Sequence, residues 1–412
     1  MRRFTLGFVA LSVTSVMWYG CKKTTDAVNP DASATNEVTN LHGMGLNAMN
    51  PSEWSSVPAF TSGLFKNHLQ SDGLTYNGTA YSSYLLYTPQ IRDQGQMGAC
   101  TGFCGAETDE MLYYYKNTAN VPVITNLTTG TGAAQALAHE IANTSDEPAY
   151  GGASNVGAAT FSPLFLYFVE RVVINKGSIG SDPGANMVNI GETLQGLTNN
   201  SGSGTKLQYS GYTFDGVSNE TNYPYPFVSG SGGYNVATSS NAPFTTYPYN
   251  YYNYGSTTIP VAPNNYPIGV QNGSTSSSGT TTTGYYVITS TNAALVADVK
   301  TALLNNKPVM MGFNVYDKTT TYQYFEGLST TSYTYNPLTS NGSLARGVRL
   351  LGGHAVPIVG FINDSSQPGG GVFICQNSWG TPWGYHGYFY LPYSVIVNTR
   401  VVPSGSLYVA IP

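Results

Sequence analysis

Charge is what this sequence has least of. Only 9% of its 412 residues are Asp, Glu, Lys or Arg, against about a quarter in an ordinary soluble domain. The net charge is −5, so the basic patch that holds nucleic acid is missing and no such partner is expected. Cysteine is scarce too: Cys21, Cys100, Cys104 and Cys375 are too few for a disulfide scaffold. Beyond the N-terminus no apolar run is long enough to span a bilayer. Neither the five histidines nor the acids fall in a metal-ligand pattern, and no cofactor motif is visible. What fills the space is Gly (47), Tyr (33), Ser, Thr and Asn. The length still suffices to bury a substantial core in one or two domains.

The N-terminus reads as a targeting signal. Met1-Arg2-Arg3 precedes apolar residues 4–19, the charged and hydrophobic regions of a secretory signal. Gly20-Cys21-Lys22-Lys23 follows. A small residue before a cysteine resembles a bacterial lipoprotein processing site, with Cys21 lipidated as the new N-terminus. Trp18 departs from the leucine usual there, and an ordinary signal with an incidental cysteine is the alternative. Either reading exports the protein to the cell envelope or beyond, with membrane contact only through a lipid on Cys21.

Residues 93–104, Asp-Gln-Gly-Gln-Met-Gly-Ala-Cys-Thr-Gly-Phe-Cys, organise the rest. Their glycines suit a tight loop. From Cys100 onward Phe103, Cys104, Glu107, Met111 and Tyr115 recur at helical spacing. Cys100 therefore stands where a loop becomes a helix, and unpaired N–H groups and the helix dipole there favour a thiolate. Gln94 can turn its amide to the same point as an oxyanion donor. Far downstream Gly352-Gly353-His354 opens an apolar strand. Cys375-Gln376-Asn377-Ser378-Trp379-Gly380 follows, with Trp383-Gly384 and Gly387-Tyr388-Phe389 behind it.

These three stretches together resemble the papain-like cysteine peptidases. The resemblance covers roughly 80–115, 160–200 and 290–412. It implies an α+β, two-domain fold, a helical left domain facing an antiparallel, barrel-like right domain across the active-site cleft. It implies Cys100 as nucleophile, His354 as proton carrier, Asn377 as the group orienting the imidazole, Gln94 in the oxyanion hole and Trp379 shielding the His354–Asn377 bond. Gly184 falls where the family has its substrate wall. The substrate implied is a peptide or protein, handled by a monomer. Two departures stand out: Met97 replaces a cysteine whose disulfide braces the nucleophile loop, and Thr101 replaces the aromatic residue after the nucleophile. A peptide- or glycan-binding relative without turnover, and a cell-wall amidase of another Cys–His fold, are the competing functions.

The remaining segments place these residues. After the signal at 1–21, residues 22–78 are polar and turn-rich, a tether or short pro-region without the family's charged, helical prosegment. The catalytic domain occupies 79–412, with Tyr84–Pro89 as its first strand. Ser162-Pro163 caps a helix reaching Gly177, and a weaker helix spans 187–197. The stretch 200–285 contains three charged residues, Lys206, Asp215 and Glu220. It is the candidate insertion, because Cys100 and His354 lie about a hundred residues further apart than the family's ~130–150. Thr291–Asn305 reads as an amphipathic helix, and 308–315, the His354 stretch and the Cys375 stretch as strands. Cys104 and Cys375 are open to two readings, a bridge or two buried thiols.

Overall fold

The computed structural model describes residues 43–65, 69–70, 75–95, 97–141, 161–176, 182–196, 207–209, 212–214, 284–318 and 320–412. Cys21 and most of the 200–285 stretch lie outside them. In chain order the elements are a short helix α1 (Pro51–Trp54), a hairpin β1–β2 (Thr75–Tyr76, Thr79–Ala80), β3 (Ser83–Leu85), α2 (Cys100–Asn117), α3 (Gly132–Ala138), α4 (Pro163–Phe168), α5 (Met187–Gln195) and a hairpin β4–β5 (Leu207–Tyr209, Tyr212–Phe214). Then come β6 (Gly284–Val287), α6 (Asn292–Leu304), β7 (Val309–Asp317), β8 (Arg349–Asn363), β9 (Gly371–Gln376), β10 (Tyr388–Pro392), α7 (Tyr393–Ile396) and β11 (Leu407–Ile411). Among the described residues no helix is long and apolar enough to cross a membrane.

The sheet is antiparallel, in the order β10-β9-β8-β7-β11-β6, with β3 also on β8. Its strands are apolar almost without interruption because both faces are covered: β9, β10 and β11 are buried along their whole length. Among the described residues the sheet of this antiparallel domain does not close into a barrel. Its edges are guarded by loops rather than by closure, which limits unwanted strand pairing. Phe60 N–H donates to Val287 O on the β6 side, and Tyr335 N–H to Tyr390 O on the β10 side.

The helical layer begins with α2, buried on every side from Cys100 to Leu112. Gly102 and Gly105 let α4 come close: a Cβ at Gly102 would sit 2.4 Å from Pro163 O, and one at Gly105 2.6 Å from a Leu166 methyl. Ser162 caps α4 by accepting from Phe165 N–H at 3.0 Å. The expected long helix to Gly177 is not a regular one. After Phe168 it widens into a π-helical stretch, Val169–Ile174, a distortion often found at functional sites. The described part of the expected tether does not hang free. Residues 43–65 are bonded to Gly95, Ala185, Val287 and Gly353.

Candidate active site

Cys100 is the first residue of α2, where the sequence placed it. The loop before it is zipped to the Asn-Ser-Trp-Gly run of the sheet domain. Gln94 N–H donates to Ser378 O (2.8 Å) and Gly380 N–H to Arg92 O (3.0 Å). Ser378 Oγ donates to Gln94 Oε1 at 2.6 Å. That bond fixes the side-chain amide so that Nε2 faces Gly43 O and Met97 O, each at 2.8 Å.

On the opposite wall, His354 lies on β8 opposite Phe313 of β7. Its Nε2 is 2.7 Å from Asn377 Oδ1. Ser378 N–H donates to the same oxygen at 2.9 Å. A backbone N–H can only donate, so Oδ1 is an acceptor and His354 carries its proton on Nε2. Nδ1 is then the basic nitrogen. Cys100 reaches this wall, for the backbone amide of Ala355, next to His354, favours the sulfur's anion. Trp379 tilts against the imidazole with ring centroids 4.9 Å apart. Phe325, in the loop after β7, packs on both, 5.8 Å from His354 and 4.9 Å from Trp379. Asp317 holds that loop by accepting from Tyr324, Phe325 and Glu326 N–H.

The thiol differs from expectation. Cys100 is fully buried, and burial pushes its pKa up to about 12, against favourable backbone amides of Gly45, Ala355 and Thr101. What buries it is the chain's own segment 43–49. Gly43 N–H donates to Gly95 O, Leu46 N–H to Gly353 O, Ala185 N–H to Gly45 O and Asn47 N–H to Ala185 O. Leu46 thereby pairs in parallel with Ala185, beside Gly184, whose φ is +73°. Only glycine fits at 45, since a Cβ there would lie 1.7 Å from Gly98 O. Met44 and Leu46, two positions apart within a polar stretch, were the available signal for such an extended strap.

Two further groups carry weight that sequence reasoning did not assign. Near Met97, where the resemblance implies a bracing disulfide, the loop is held by Asp182, which accepts from Gly98 N–H at 3.0 Å and from Tyr167 OH. Tyr167 OH in turn accepts from Gly184 N–H at 3.1 Å. Next to Cys100, Thr101 donates to Glu170. Further along α2, Glu110 forms a buried ion pair with Arg92. Cys104 and Cys375 are free buried thiols, as is Cys100. Of the predicted residues, Gln94, Cys100 and Gly184 touch the strap, His354 follows Gly353, which is bonded to it, and Asn377 and Trp379 pack on His354.

A family model described as papain family cysteine protease matches residues 198–402, a span that includes His354, Asn377 and Trp379 but not Cys100 or Gln94. An uncharacterized peptidase C1-like protein of Acanthamoeba polyphaga mimivirus is 31% identical over 26% of this chain and 29% of its own length. Cathepsin B-like cysteine proteinase 5 of Caenorhabditis elegans is 35% identical over 23% of this chain and 22% of its own. The chain thus matches under a third of the length of these curated relatives. Xylellain, a cysteine protease from Xylella fastidiosa, superposes with a TM-score of 0.50 at 18% identity, covering 92% of this chain and 99% of that one. That likeness is one of fold.

Proposed function

We propose that the chain is a cysteine protease of the papain family, whose model matches residues 198–402, that it hydrolyses peptide bonds through Cys100, His354 and Asn377, and that the structure is its latent form. The observation that carries this reading is the strap: an extended peptide main chain lies in the cleft with a carbonyl on Gln94 Nε2 and an amide turned to the Cys100 sulfur. With the strap lifted, substrate takes its place. Cys100 gives its proton to His354 Nδ1 and its sulfur attacks the peptide carbonyl. Gln94 Nε2 and the Cys100 N–H hold the oxyanion. His354 then protonates the leaving amine, and water, deprotonated by the same nitrogen, releases the acyl group from sulfur. Asn377 keeps the imidazole in the tautomer this requires.

The signal-like residues 1–21 support export, with Cys21 as a lipid anchor in the cell envelope; mass spectrometry of the mature N-terminus checks the adduct. The catalytic reading is tested with full-length Gly45→Ala, whose methyl cannot share space with Gly98 O. Hydrolysis of fluorogenic peptides and iodoacetamide labelling of Cys100 should both rise at least about tenfold. Adding Cys100→Ala should abolish the turnover, a loss of at least about 10³-fold. Release of the strap with labelling but no hydrolysis would leave a peptide- or glycan-binding protein instead.

A further inference from the structure

The position after the nucleophile holds a threonine rather than an aromatic residue, and the structure gives that threonine a partner. Thr101 Oγ donates to Glu170 Oε2. Glu170 sits where the helix widens into its π turn, and Asn175 N–H reaches back five residues to Glu170 O at 3.0 Å. Thr101, Glu170 and Cys100 are all 0% exposed. Glu170 Oε1 has no hydrogen-bond partner among the described residues. A buried carboxylate needs several donors or a cation to stay ionised. Glu170 has one hydroxyl.

Among the described residues its surroundings add no compensating cation. From α2, Cys100 and Cys104 lie within its field; from β6, Tyr285 does. Each is an acid whose anion would repel a second one. On its own element Arg171 turns to the rings of Tyr167 and Phe168, 5.4 and 5.9 Å from their centroids. The ion pair of Arg92 is with Glu110, not with Glu170.

We propose that Cys100 and Glu170, linked through Thr101, hold at most one negative charge between them, so that Glu170 is a positioning residue whose neutral acid form permits the thiolate. Burial, only partly opposed by the Thr101 hydrogen bond, pushes Glu170 up to about 8, so near neutral pH the acid form is the one present. Above that, its charge opposes ionisation of the sulfur, and the two groups titrate as a pair. As a control on a nucleophile this rests on the reading of Cys100 given above. The charge sharing itself does not.

The test uses the full-length chain and its Glu170→Gln and Thr101→Val variants, all near isosteric. Iodoacetamide labelling of Cys100, followed by peptide mapping from pH 6 to 10, should coincide for wild type and Glu170→Gln below about pH 7. Above about pH 8 the Gln variant should react at least about threefold faster, because no second anion forms. Thr101→Val, which removes the one donor favouring the glutamate anion, should move toward the Gln profile. Infrared difference spectra should show a protonated-acid carbonyl band at pH 6–7 that is absent from Glu170→Gln and fades as pH passes about 8. Coincident labelling profiles across the whole range, or no such band, would overturn the proposal. Loss of peptide turnover in the strap-released chain, with these profiles intact, would defeat the peptidase reading alone.

Discussion

The wall that carries His354 is aromatic and nearly uncharged, whereas the wall that carries Cys100 is full of buried acids. Around the imidazole stand Phe313, Phe325, Trp379, Trp383 and Phe389, edge to face or tilted at 4.9 to 6.3 Å. Such a lining excludes water from the His354–Asn377 bond and needs little further satisfaction. Around α2 stand Glu107, Asp109, Glu110 and Glu170, all at most 1% exposed. A chain with so few charges has placed four of them inside one layer. The sheet wall holds its geometry through packing and the helix wall through protonation states, so the two should respond to different perturbations.

Removing packing from the sheet wall should have the largest effect on stability. Phe325→Ala should cost about 3–5 kcal/mol, read from denaturant midpoints. It should also loosen His354, shifting the acid and alkaline limits of hydrolysis in the strap-released chain. An unchanged midpoint would mean that the aromatic cluster is not a packed unit.

The helix wall should answer to pH. Glu107 and Glu170 are both pushed up to about 8 by burial, so the folded chain binds their protons more tightly than the unfolded chain does. The stability this contributes is complete below the unfolded value near 4.5 and is lost as pH rises through the folded one. Each group should therefore lower unfolding free energy by up to about 1.4 kcal/mol per pH unit between those limits. Thermal melts from pH 5 to 8 should slope downward, and Glu107→Gln or Glu170→Gln should each flatten the slope. A melting temperature that rises with pH over that window would contradict the assignment of neutral acids.

The smallest effect concerns the seam between the nucleophile loop and Gly184. Tyr167→Phe deletes the hydroxyl joining Asp182 to Gly184 and should cost about 0.5–1.5 kcal/mol. In the strap-released chain it should raise KM more than it lowers kcat, since the wall moves while the nucleophile stays.

The same contrast explains what was legible. Asn377, Ser378, Trp379 and Gly380 are contiguous, and His354 heads a strand of uniform apolarity, so the sheet wall was readable as motif and period. Its openness was not, because edge protection comes from pairs of backbone bonds, at Pro58 and Phe60 and at Tyr333 and Tyr335, that leave no pattern. On the helix wall Cys100 and Gln94 were readable. Glu170 was not, because nothing in a helical sequence announces a π turn, and its partner Thr101 lies 69 positions away. The raised thiol pKa was equally invisible, since it arises from a strap whose only sign was two apolar residues, Met44 and Leu46, spaced by two.

Asp182 has a consequence for how this protein tolerates its chemical surroundings. A sulfur nucleophile keeps its reactivity only in a reducing medium, and such a medium threatens any disulfide that shapes the site around it. Here the brace between the nucleophile loop and the cleft rim is a carboxylate shared by an amide and a phenol, and the described cysteines are all thiols. Reductant can keep Cys100, the proposed nucleophile, a thiol without touching what holds its loop. The site thus separates the chemistry proposed for it from the chemistry that keeps its shape.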